Sequence, residues 1–376
     1  MWRLSHWLMG WSMTLVFVGT RAAHSQVIPR NPDPAPAAQA NAAPGNQPQD
    51  QGRDELRTGA ALTRSGALRD AIPHLLAARA DGADPYATGV NLAICYVGTG
   101  AGAQAVPLLE SLRSSGYRTP ATATLLVQAY IAMNRPKDAY DFLSATAAAA
   151  PGNETIFAYA ADACTDGHQY SLGLRMMDLG LAMFPASARL HYEKALFLAQ
   201  LDKIEEARPE FDRAADLDPN GYIGCLARVQ KDLYDDDLKG ANRLLDQAIH
   251  AGRSDYRMLS LLGTVLLDEG VAPGDPRFPE AQSALEESAR ERPDFSATQI
   301  ALGKIDLMLG QYREAVQHLE AGRALEPDNP AVYTSLAVAY RHLGEREKAS
   351  QASAELGQLL VRKPVQAPPP GSPAAH

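Results

Sequence analysis

Small and apolar residues recur along this chain with a period of thirty-four. The segments "TQIALGKIDLMLGQYREAVQHLEAG" and "YTSLAVAYRHLGEREKASQASAEL" superpose so that Leu302 falls on Leu336, Gly310 on Gly344 and Ala315 on Ala349, each 34 residues apart. Carried back toward the N-terminus, the pattern marks nine units starting at residues 52, 86, 120, 154, 188, 222, 256, 296 and 330. Seven of the eight spacings equal 34; the exception, 256 to 296, holds six extra residues around "VAPGDPRFP". A fixed period of this size predicts a stacked array in which each unit hides its apolar face on the next.

Particular slots of the unit say what packs. The eighth position reads Gly59, Ala93, Val127, Ala161, Ala195, Val229, Gly263, Gly303 and Ala337. The twentieth, counted past the insertion, reads Ala71, Ala105, Ala139, Gly173, Ala207, Ala241, Ala281, Ala315 and Ala349. Sixteen of these eighteen slots are Ala or Gly, against 65 alanines in 376 residues overall. The twenty-fourth is large and apolar in eight units: Leu75, Leu109, Leu143, Met177, Phe211, Leu245, Leu285 and Leu319. A large residue on one helix needs a small one opposite, so each unit reads as a helix A and a helix B packed antiparallel. Pro151, Pro185, Pro219, Pro293 and Pro327 end helix B in five units, since proline lacks the N–H a helix needs. Glu55 and Thr58 in the first unit and Ser353 in the last replace apolar residues and read as polar caps. Lys194, Arg228, Asp232 and Asp306 fall on slots where core residues are expected; units five and six thus have the least fixed register, and a local kink is expected there.

This pattern resembles the tetratricopeptide repeat over about residues 52–363. The resemblance implies an all-α chain, an α-solenoid of about nine hairpins wound into a right-handed superhelix. It also implies that helix A residues at positions two, five, nine and twelve line a concave groove where peptides dock. Position five then gives Val90, Thr124, Tyr192, Leu226 and Ile300 among others. Position nine gives Ile94, Gln128, Leu196 and Gln230, with Thr264 and Lys304 further on, and position twelve gives Val97, Ile131 and Leu233. The stripe is poor in charge and suits an extended or helical segment with apolar anchors. Packing within a tightly wound array is the other use such a stripe has. The carboxylate clamp of chaperone-tail binders, which needs Lys and Asn at set groove positions in successive units, is missing: only Asn91 is suggestive, and that role is not carried over.

The rest of the chain adds context. The formal charge is −9, and no Lys/Arg cluster interrupts it, which argues against nucleic acid as a partner. Residues 1–25 hold Arg3, an apolar run from Trp7 to Val18, and Ala23 and Ser25 ahead of Gln26, the pattern of a secretory leader. The run is too short to span a bilayer, and no cysteine follows it to carry a lipid; an uncleaved signal anchor is the alternative. Proline-rich stretches at 26–51 and 364–376 read as disordered flanks. Removal of the leader leaves no other stretch long enough to cross a membrane.

Chemistry is not announced anywhere. The Gly98–Gly102 run lacks the dinucleotide fingerprint and falls at a turn between helices, and Asp235-Asp236-Asp237 lacks the ligands that close a calcium loop. Cys95, Cys164 and Cys225 lie far apart on A helices and read as buried small hydrophobes; no metal pair or nucleophile with its base can be assembled. The expectation is therefore an exported bacterial scaffold, periplasmic or secreted, without cofactor, that binds protein or peptide segments and is able to self-associate. An accessory subunit of a secretion, pilus or polysaccharide-export machine is the alternative.

Overall fold

A computed structural model describes residues 47–149 and 152–362. The leader and tail, and the linker up to residue 46, lie outside the described residues. Among the described residues all regular structure is helical, in eighteen α-helices. The first compact body holds α1 (Gln47–Arg64), α2 (Leu68–Ala80), α3 (Pro85–Gly98), α4 (Gly102–Ser114), α5 (Pro120–Ala132), α6 (Pro136–Ala149), α7 (Thr155–Asp166), α8 (Tyr170–Met183), α9 (Ala188–Gln200), α10 (Ile204–Leu217) and α11 (Tyr222–Tyr234). The second holds α12 (Leu238–His250), α13 (Tyr256–Asp268), α14 (Phe278–Glu291), α15 (Ser296–Leu309), α16 (Tyr312–Leu325), α17 (Pro330–His342) and α18 (Arg346–Arg362). Odd-numbered helices are the A helices of the repeat and even-numbered ones the B helices. The bodies divide between Tyr234 and Asp235, inside the sixth unit. None of α9 to α12 is interrupted.

Helix α1 starts at Gln47, five residues inside the segment read as linker. Its added turn carries Asp50 near the positive end of the helix dipole and sets Gly52 close against Asp81.

Small-against-large packing holds each hairpin together. A Cβ placed on Gly59 would stand 2.6 Å from Leu75 Cγ, and one on Gly303 would stand 2.5 Å from Leu319 Cγ. These pairs join the eighth and twenty-fourth positions of one unit. The eight large residues at position twenty-four are 0 to 1% exposed, so the slot is the centre of every hairpin that has it. Neighbouring units lock in the same way: a side chain on Gly173 of α8 would collide with the Phe197 ring of α9.

The turn between helix A and helix B has a fixed backbone. Gly66, Gly100, Asn134, His168, Asp202, Asp236, Gly270, Gly310 and Gly344 all take positive φ, between 52° and 89°. All nine stand at position fifteen, one per unit. The next N–H reaches back to close the helix end, as Gln311 N does to Asp306 O at 2.8 Å and Arg135 N to Tyr130 O at 2.9 Å. Glycine takes this conformation freely; Asn, Asp and His do so at a cost.

Polar residues on core slots are satisfied where they sit. Lys194 bridges Asp178 at 3.0 Å and Glu210 at 2.8 Å, Asp306 accepts from His318 Nδ1 at 2.7 Å, and Arg228 donates to Pro219 O at 2.9 Å. Units are also tied by a recurring bond twenty residues back, from Tyr130 OH to Glu110 Oε1 at 3.0 Å and from Tyr340 OH to Glu320 Oε1 at 2.7 Å. The insertion is anchored by the buried side chains of Val271 and Phe278, with Arg277 paired to Glu269 at 2.5 Å.

Candidate functional site

Five of the A helices, α3, α5, α9, α13 and α17, begin on a side-chain cap. Asp84 Oδ1 accepts from Ala87 N at 2.6 Å, Ser187 Oγ from Leu190 N at 3.1 Å, and Asn329 Oδ1 from Ala331 N at 3.0 Å. With the left-handed residue one per unit at their C-terminal ends, the A helices from α3 to α17 run 12 to 14 residues. Successive A helices then touch within each body: α1 with α3, α3 with α5, α5 with α7, α7 with α9 and α9 with α11, and separately α13 with α15 and α15 with α17. Among the B helices, α6 and α8 approach each other comparably. Apart from α6 and α8, the A helices of each body stand closer to one another than the B helices do.

The residues expected to line the groove are more enclosed than an open anchor surface. Ile94, Thr124, Ile131, Leu226, Gln230 and Ile300 are buried, and Val90, Val97, Gln128, Tyr192, Leu196 and Leu233 are partly buried. Ile94 and Ile131 belong to the core of the first body, with Val90 and Val97 packed against it. Tyr192 and Leu196 pack on the cluster around Phe211, and Ile300 sits in the core shared by α15 to α18. The apolar stripe is therefore spent largely on contacts between units, and the side chains nearer solvent in the same rows are mainly polar.

Those polar side chains follow position nine. Gln128 on α5, Asp162 on α7, Thr264 on α13 and Lys304 on α15 are partly buried. Arg189 of α9 reaches toward Asp162 of α7 at 3.9 Å. Gln230, 4% exposed, has an Nε2 with no hydrogen-bond partner. A lone lysine in a nearly neutral row was the sequence signal at Lys304; its enclosure could not be read before the neighbouring helices were placed.

The cysteines are not poised for chemistry. All three are buried, and burial pushes the Cys164 thiol up to about 12. Burial also raises Cys95, partly offset by its contact with the Thr63 hydroxyl at 3.3 Å. The Gly98–Gly102 run is the turn from α3 to α4, and Asp237 caps α12 through Gly240 N at 2.8 Å. No helix among the described residues is long and apolar enough to cross a membrane.

Tetratricopeptide repeat family models match residues 166–222, 274–334 and 306–359. No curated protein matches the sequence. Among solved structures, the Cut9–Hcn1 hetero-tetramer of the APC/C is similar with a TM-score of 0.52 at 14% identity, over 85% of this chain and 62% of that one. A tetratricopeptide repeat protein from Parabacteroides merdae has a TM-score of 0.48 at 15% identity, over 68% of this chain and 98% of its own. YrrB, described as a repeat protein with an unusual peptide-binding site, has a TM-score of 0.34 at 18% identity, over 50% of this chain and 93% of its own.

Proposed function

We propose that this chain, which belongs to the tetratricopeptide repeat family, works by binding and not by catalysis, capturing segments of partner proteins along the row of A helices. One observation supports the reading: within each body successive A helices lie close together, and position nine of the repeat falls on every one of them. A surface that repeats at a fixed interval suits an extended or helical segment that repeats its own contacts. Because the apolar anchors are largely enclosed, polar contacts count as much as apolar ones, from Gln128 and Asp162 within the first body and from Thr264 and Lys304 within the second.

The leader pattern at residues 1–25 supports export, and with it work in a bacterial cell envelope or outside the cell. N-terminal sequencing of protein from a periplasmic fraction tests this; a chain beginning at Gln26 agrees with it, and a chain retaining Met1 in the cytoplasm overturns it.

Co-purification from the envelope fraction tests the binding reading. Val90→Asp and Tyr192→Asp change partly buried groove residues, and circular dichroism checks that the helices persist. Loss of the partners recovered by the unaltered chain agrees with the reading; unchanged recovery contradicts it.

A further inference from the structure

The second body contains a small cavity whose polar lining includes the Lys304 ammonium, the Thr264 hydroxyl, and the side chains of Glu326 and Asn329. It is lined by Thr264 and Leu267 of α13, by Ala297, Ile300, Ala301 and Lys304 of α15, and by Glu326 and Asn329 ahead of α17, and it encloses about 20 Å³. That is room for one small functional group.

Its polar groups are not equivalent. Glu326 is engaged, accepting from Ser296 Oγ and from Asn329 Nδ2 at 2.9 Å. Asn329 is engaged twice, since its Oδ1 also caps Ala331 N at 3.0 Å. Lys304 has no hydrogen bond or ion pair within the described residues, and neither does the Thr264 hydroxyl. The charge of Asp268 on α13 reaches Lys304, yet the two form no ion pair within 4.0 Å. Burial lowers the Lys304 pKa and Asp268 partly offsets this. A partly buried ammonium without an acceptor is the arrangement that folding alone disfavours.

Resting on the reading of the A-helix row as a binding surface, we propose that this cavity takes an acidic side chain of the bound segment, an Asp or Glu whose carboxylate accepts from Lys304 Nζ and Thr264 Oγ1. Both donors occupy position nine on successive A helices of one body, so they face a segment lying along the row. Leu267, Ala297, Ala301 and Ile300 supply apolar walls for the carbons of that side chain. Enclosure strengthens the charge-assisted contact relative to one in open water.

Selection from a displayed library of random short peptides tests this, with the unaltered full chain and with Lys304→Met, Lys304→Arg and Lys304→Glu as bait. The unaltered chain is expected to enrich peptides carrying Asp or Glu. Lys304→Met should lower that enrichment about tenfold, the loss of one charge-assisted hydrogen bond. Lys304→Arg should keep it, and Lys304→Glu should shift selection to Lys or Arg. Enrichment without acidic bias, or the same acidic bias from Lys304→Met, overturns the inference and leaves the groove reading standing. Failure of the unaltered chain to enrich any peptide overturns both.

Discussion

Gly303 and Leu319 occupy one space: a Cβ on the glycine would stand 2.5 Å from the leucine Cγ, which is 0% exposed and has no free volume to move into. Gly303→Ala is therefore expected to destabilise the second body. The substitution gains about 1 kcal/mol of helix propensity and loses about 1–3 kcal/mol to overpacking, so the net change is a loss of about 1 kcal/mol. Urea unfolding measures it. In a Leu319→Ala background the clash is gone and the same change should become neutral or stabilising.

The left-handed turn predicts opposite effects at equivalent positions. Asp202 takes φ +60° on an exposed turn where Gly344 takes +77°. Asp202→Gly should raise stability by up to about 1 kcal/mol, and Gly344→Ala should lower it by about 1 kcal/mol. Thermal unfolding of the two variants against the unaltered chain reads both signs.

The Lys194–Glu210 pair predicts a pH dependence. Burial alone would raise Glu210, but hydrogen bonds from Lys194 and His191 outweigh it and leave the carboxyl below its ordinary value. Its contribution is thus complete above the usual carboxylate range and is lost as pH falls through the lowered folded value. Burial alone would lower Lys194, yet its bonds to Glu210 and Asp178 leave it raised, so its contribution is lost only as pH rises through that raised value. Glu210→Gln should cost about 1–3 kcal/mol near neutral pH, and the difference from the unaltered chain should shrink in acid. Melting temperature against pH for the two proteins checks this.

The buried cysteines predict slow thiol chemistry. Cys95, Cys164 and Cys225 are 0, 0 and 4% exposed. A thiol reagent should leave them unmodified in the native chain and react with all three in denaturant. Fast labelling of Cys164 under native conditions would contradict its enclosure.

Much of this fold was legible because the period repeats its own evidence. The Gly303–Leu319 contact follows from a small eighth and a large twenty-fourth position, seen in unit after unit. The turn at position fifteen was harder to see, because Asn134, His168, Asp202 and Asp236 hold the same backbone as the glycines with different side chains. The groove was legible as a face and not as a surface. Spacing says that Ile94, Ile131 and Leu226 share a side of their helices, but how closely the next unit stands decides that they are buried. Lys194 failed as a core residue for the same reason: its partners, Asp178 and Glu210, come from helices on either side of its own in the chain.

Site-specific photo-cross-linking tests capture along the A helices most directly. Benzoylphenylalanine placed at Gln128 on α5 and Leu196 on α9, both partly buried on A helices, is compared with the same group at Lys137 on α6 and Arg213 on α10, both exposed on B helices. Cross-links to partner protein from Gln128 and Leu196, and none from Lys137 and Arg213, are the predicted result. Cross-links from the B-helix positions alone, or from all four equally, would contradict it.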